Sequence, residues 1–156
     1  MIATARIAPA LPEPEVLARM INAVTRTMFG ITFDVSKGAV AVPSMCWRVA
    51  ALTIGGHTPM RIAIASDEAS CTELASVMFG CTPDGLDDSM IEDALRELVN
   101  MSGGQIKNVV APDVELTVPK MISADDLLGA PQMGAQRDVV LRAERLALVL
   151  SIHQWD

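Results

Sequence analysis

Hydrophobic positions along the chain fall into two rhythms, one of about 3.6 residues and one of two. In residues 14–29, Val16, Met20, Ala23, Val24 and Met28 recur as one helical stripe. Glu13 and Glu15 suit the positive end of that helix, and Gly30 suits its stop. Residues 31–35 read as a short strand, followed by a Ser36-Lys37-Gly38 turn. Residues 45–54 and 59–65 read as two strands joined at Gly55-Gly56-His57. Val49, Ala51 and Thr53 alternate with Arg48, Ala50 and Leu52, so both faces are largely apolar and both should be covered.

A second helix is expected to start at Ser66-Asp67-Glu68, bury Cys71, Leu74, Ala75 and Met78, and stop at Gly80. Cys81-Thr82-Pro83-Asp84-Gly85 has the residues of a tight turn. A third helix follows, capped by Asp87, Asp88 or Ser89, with Ser89 and Glu92 spaced as a capping box, and runs to about residue 110 before Pro112. Residues 114–118 read as a strand, 123–136 as an irregular connection, and 137–141 and 146–153 as the last two strands. This order predicts an α+β fold, with a mostly antiparallel sheet and helices packed on one side. It also suggests an internal repeat of a helix followed by a strand pair.

Composition narrows the function. At 156 residues the chain is expected to be one domain, with a proline-rich tail over residues 1–13. Net charge is −7, with no basic cluster, and aromatic residues make up 3%. Nucleic-acid binding is therefore not expected. No apolar run is long enough to span a bilayer, and no basic segment precedes an apolar one as in a signal peptide. The three cysteines, Cys46, Cys71 and Cys81, are an odd number without C-x-x-C spacing. Reduced thiols in a cytoplasmic protein, with no metal site, are the expectation.

The candidate chemistry lies on the third helix. Ile91, Ala94, Leu95, Leu98, Ser102, Ile106 and Val109 share one face, while Asp93, Glu97, Asn100, Gly104 and Lys107 share the other. Glu97 and Asn100 are three apart and are therefore surface neighbours. Glycine inside a helix costs roughly 1 kcal/mol relative to alanine. On a polar face that cost has no packing reason, but close approach of another backbone would supply one.

The pattern Asp93-Ala94-x-x-Glu97-x-x-Asn100-Met101-x-x-Gly104-x-x-Lys107 resembles the signature helix of the CheC/CheX/FliY family of chemotaxis phosphatases. The order of elements also resembles that family. Gly103 and Gln105 depart from the residues often found in relatives. Aligning Asn22-Ala23 with Asp93-Ala94 puts Arg26 and Phe29 where Glu97 and Asn100 stand, so only one helix carries the motif, as in CheX.

The resemblance implies a phosphatase acting on the aspartyl-phosphate of a CheY-like response regulator. Asn100 would orient the attacking water and Glu97 would pair with the receiver's lysine. Asp93, Met101, Gly103, Gly104 and Lys107 would contact the partner. No cofactor is expected in this chain, and Mg²⁺ is expected on the receiver. A homodimer joined through sheet edges is also implied, using the final strands and leaving both signature helices exposed. The first rival is a non-catalytic module that binds receivers or belongs to a flagellar switch. The second is a cysteine-dependent enzyme using Cys46 or Cys71, disfavoured because no histidine stands at a convincing spacing.

Overall fold

The computed structural model describes residues 10–37, 42–129 and 134–155. Helix α1 (Pro14–Phe29) has proline in its first turn, where no N–H is missed, and ends at Gly30 with φ of 69°. Its buried face is Leu17, Ala18, Ile21, Asn22, Val24, Thr25 and Phe29. The expected stripe is therefore rotated: Val16, Met20 and Met28 are half-buried and Ala23 is exposed. Two polar residues cause the rotation. The Asn22 amide donates to the Phe33 carbonyl at 2.8 Å and accepts from the Phe33 N–H at 2.7 Å. The Thr25 hydroxyl donates to the Ile31 carbonyl at 2.8 Å. Buried polar groups satisfied in this way are tolerated, and they bring the chain after the helix back over it.

Strand β1 (Asp34–Val35) is shorter than expected, and Gly38 of the following turn lies outside the described residues. A 3-10 turn (Val42–Met45) replaces the start of the expected second strand. Strands β2 (Arg48–Ile54) and β3 (Met60–Ser66) form a hairpin in register from Arg48 opposite Ser66 to Ile54 opposite Met60.

Helix α2 (Glu68–Phe79) is capped by Asp67, whose carboxylate accepts from the Ser70 N–H at 2.7 Å. Ser66 stays in β3 and donates its hydroxyl to the Ala147 carbonyl, and Met78 is only half-buried. Gly80 ends the helix with φ of 64°. Helix α3 (Asp88–Val110) is capped by Asp87, which accepts from the Met90 N–H at 2.8 Å. Ser89 lies inside the first turn, so the capping box does not form.

The strand expected over residues 114–118 is displaced to β4 (Lys120–Ile122). Residues 114–118 meet β2 through one bridge between Leu116 and Ile54. The Thr117 hydroxyl accepts the Thr53 N–H at 2.8 Å, taking a donor that a regular ladder would use, and Pro119 has no N–H to offer. The long connection contains helix α4 (Ala124–Leu128), capped by Ser123, and residues 130–133 of it lie outside the described set. Strands β5 (Ala135–Ala143) and β6 (Leu146–Gln154) close the chain as a hairpin through Glu144-Arg145.

The sheet has six strands in the order β1-β5-β6-β3-β2-β4, antiparallel at every pairing. Exchanging β1 with β4, β2 with β5 and β3 with β6 gives the same order read from the opposite edge, so the internal repeat is present in the topology. Helices α1, α2 and α3 cover one face around Leu17, Ile21, Leu52, Ile62, Ile64 and Leu98. The other face, with Val49, Ala51, Ala63, Ala65, Ala147 and Val149, lies under the 3-10 turn and Leu127 of α4. Strand β6 is central and buried along its length. That corrects its expected place at an edge.

Residues 1–9 of the expected tail lie outside the described residues. The next ones are docked: Arg137 donates to the Leu11 carbonyl at 3.1 Å and to that of Pro12.

Candidate functional site

Helix α3 is long because nothing breaks it before Pro112, and amphipathic because one face meets β2 and β3. It buries Ile91, Ala94, Leu95, Leu98, Val99, Ser102, Gly103 and Ile106. Val109 is 62% exposed, against expectation, and Val110 takes the partly buried place in the last turn.

The opposite face carries Asp93, Glu97 and Asn100, all exposed. Among the described residues Glu97 and Asn100 make no hydrogen bond or ion pair, so both leave their polar groups to solvent or a partner. One turn on, a Cβ added at Gly104 would meet no atom within 4 Å, so the patch is bare.

Three of the expected contact residues differ. Gly103 faces the sheet: a Cβ there would stand 2.9 Å from Leu52 Cδ2 and 3.0 Å from Cδ1. Its lack of a side chain seats α3 on β2, so it is a packing glycine and not part of a docking surface. Met101 is half-buried and packs against the helix-side core. The Lys107 ammonium donates to the Pro112 carbonyl at 2.7 Å, closing the helix C-terminus.

Elements remote in sequence frame the exposed face. Met78 and Phe79 from the end of α2, and Val118 and Pro119 before β4, line an open groove of about 470 Å³ with Asp93, Arg96, Glu97 and Asn100. Phe79 is 41% exposed and Val118 79%, which places two apolar side chains in water beside the polar pair. Neither was picked out by sequence, because each becomes part of the site only through the folding of another element. Exposed apolar groups next to a polar site mark surfaces that partners cover.

A chain of charges runs along the N-terminal half of the helix. Arg96 forms a close ion pair with Asp93 and stands 3.9 Å from Glu92. Glu92 is 3.8 Å from Arg48, whose guanidinium lies 4.0 Å over the Trp47 ring.

The other candidate chemistry is dispersed. Cys71 is buried, and burial pushes its thiol up to about 12, far from a thiolate at neutral pH. Burial, with Asp138 nearby, also raises the Cys46 thiol. His57 is exposed at the β2–β3 hairpin, whereas His153 is buried in β6 with its ring tilted against Trp155 at 4.8 Å. Among the described residues no group of three or more His, Cys, Asp or Glu side chains could hold a metal, and no helix is long and apolar enough to cross a membrane.

The first repeat does not duplicate the site. On α1, Arg26 donates to the Thr32 hydroxyl at 2.9 Å, and Phe29 is buried.

No curated protein matches the sequence significantly. Solved structures share the fold. A chain of the CheX–CheY–BeF₃–Mg²⁺ complex from Borrelia burgdorferi superimposes with a TM-score of 0.73 at 17% identity, over 91% of this chain and 97% of that one. CheX from Vibrio vulnificus gives 0.72 at 18% identity, over 94% and 99% of the two chains. A CheC-like protein from a Shewanella species gives 0.69 at 16% identity, over 94% and 100%. The sequence profile of the family described as chemotaxis phosphatase CheX matches residues 48–141, which include β2, β3, α2 and all of α3. The chain belongs to the chemotaxis phosphatase CheX family.

Proposed function

We propose that this protein hydrolyses the aspartyl-phosphate of a CheY-like response regulator, with Asn100 and Glu97 as the working pair. The observation that carries this reading is the exposure of both side chains on one helix face, without partners among the described residues, above the bare patch at Gly104. The family supplies the phosphatase class. A fold relative solved as a CheX–CheY complex supplies the class of partner.

The division of labour follows from the chemistry. A phosphorylated receiver carries its own Mg²⁺ and the groups that stabilise charge on the transferring phosphoryl. The missing part is a fixed water in line with the scissile P–O bond. A carboxamide can both donate to and accept from that water without removing its proton, as glutamine does in small GTPases. Water oxygen then bonds to phosphorus, the aspartyl C–O–P link opens at P–O, and the aspartate leaves as carboxylate. Glu97 pairs with the receiver's lysine and fixes the approach of Asn100. Phe79 and Val118 supply apolar contact beside the polar pair, and Gly104 admits the receiver backbone. This chain needs neither a metal nor a nucleophile of its own in this scheme.

We also propose a homodimer in the cytoplasm, joined away from α3. Strand β1 pairs only with Leu141 and Arg142 of β5. The outer edge of β5 from Ala135 to Asp138 has no strand partner among the described residues, and such an edge invites pairing with a second copy.

The decisive experiment is phosphate release from phosphorylated receivers of the same organism. Acceleration over the receiver's own decay supports the reading. Binding without acceleration replaces it with that of a receiver-binding module.

A further inference from the structure

We infer that Asp93 is a positioning residue that holds Arg96 away from Glu97, so that the Glu97 carboxylate stays open to the receiver's lysine. This rests on the function proposed above.

Among the described residues, Arg96 is the one cation lining the groove that Glu97 and Asn100 share. A guanidinium beside an unpaired carboxylate is its natural partner, and such a pair would occupy the group that has to recognise a lysine on another protein. The structure shows Arg96 turned the other way. Its side chain leans toward the helix N-terminus, as long side chains on helices do, and is paired with Asp93, with Glu92 at 3.9 Å. Glu92 is itself shared with Arg48 at 3.8 Å, so Asp93 is the main tether. Sequence neighbours do not face each other across a helix, but Arg96 and Glu97 both line one groove. With Asp93 removed, the guanidinium keeps only the 3.9 Å contact to Glu92, which Arg48 shares, and Glu97 in the same groove competes for it. Asp93 thus acts on recognition through Arg96 rather than by touching the receiver.

The test uses Asp93→Ala, Arg96→Ala and the double variant in the full chain, with steady-state dephosphorylation of a receiver. Asp93 is exposed and alanine favours the helix, so the fold is retained. An exposed ion pair that must be broken before docking raises KM about two- to fivefold. The expected result is that rise in Asp93→Ala with kcat unchanged, and a KM in the double variant lower than in Asp93→Ala. The NMR signal of the Arg96 Nε–H gives a second readout independent of activity. It should shift in Asp93→Ala and then respond to Glu97→Gln, whereas in the parent chain it should not respond to Glu97→Gln. An unchanged KM with an unmoved resonance overturns the inference. So does a raised KM that removal of Arg96 fails to lower, which would make Asp93 a direct contact. A parent protein that turns over no receiver overturns the proposed function instead, and the resonance alone then decides the role of Asp93.

Discussion

The two adjacent glycines of α3 should respond oppositely to the same substitution. At Gly104 an added Cβ meets nothing within 4 Å, and the backbone is helical, so Gly104→Ala gains the helix propensity and loses nothing. That gain is about 1 kcal/mol. In a domain of this size it raises Tm by about 2–4 °C. Gly103→Ala gains the same propensity, but its Cβ would lie 2.9 Å from one Leu52 methyl and 3.0 Å from the other. Leu52 is 1% exposed, so its methyls have little room to withdraw. Overpacking of this kind costs about 1–3 kcal/mol. The net change at Gly103 therefore runs from about zero to 2 kcal/mol of destabilisation. Equilibrium urea unfolding and thermal melts measure both. Gly104→Leu then separates stability from function: leucine is nearly as good a helix former as alanine, but its side chain fills the proposed docking space. The melt should rise while receiver affinity and phosphate release fall. If Gly103→Ala stabilises as much as Gly104→Ala, the close seating of α3 on β2 is wrong. If Gly104→Leu binds and turns over receiver as the parent does, the bare patch has no docking role.

Asn100→Ala should lower phosphate release by about 10²–10³ while leaving the urea midpoint in place, since a single preorganised group is worth that much and its removal from an exposed face opens no cavity; retention of most of the activity would reject water positioning by Asn100. Asn22→Leu should destabilise by about 2–4 kcal/mol, because it strands both the N–H and the carbonyl of buried Phe33, and urea unfolding will show whether water can replace the amide. Light scattering at micromolar concentration should give twice the chain mass, and a monomer mass would remove the sheet-edge dimer.

Helix ends were the most legible part of the fold. α1 and α3 begin and end where proline, aspartate and glycine punctuate the chain, and those signals act within one turn. Faces were less legible when they depended on remote partners. Asn22 and Thr25 look like surface residues until the Phe33 and Ile31 backbone folds over them. Residues 114–118 have the composition of a strand, but Thr117 spends its hydroxyl on the Thr53 N–H and regular pairing starts only at Lys120. In the site, Glu97 and Asn100 could be placed together because helical spacing alone puts them on one face. Gly103 and Gly104 could not be told apart without knowing which side β2 lies on. Phe79, Val118 and the tethering of Arg96 became visible only in three dimensions.

The fold is doubled, but the groove is not. In chain order α1 stands directly before β1 as α3 stands directly before β4, the two strands that the exchange of halves relates. Two differences keep a second site from forming on α1. The motif positions on α1 hold Arg26, engaged with Thr32, and Phe29, turned into the core. In addition, α3 is preceded by α2, whose last residues Met78 and Phe79 wall the groove, whereas among the described residues no helix precedes α1. Restoring Glu and Asn at positions 26 and 29 would therefore place the pair on a helix without its apolar wall, and would remove a buried aromatic from the core. The second half has an added helix as well as the two polar residues. The proposed site depends on both, which leaves one candidate docking surface among the described residues in a fold whose symmetry would otherwise offer two.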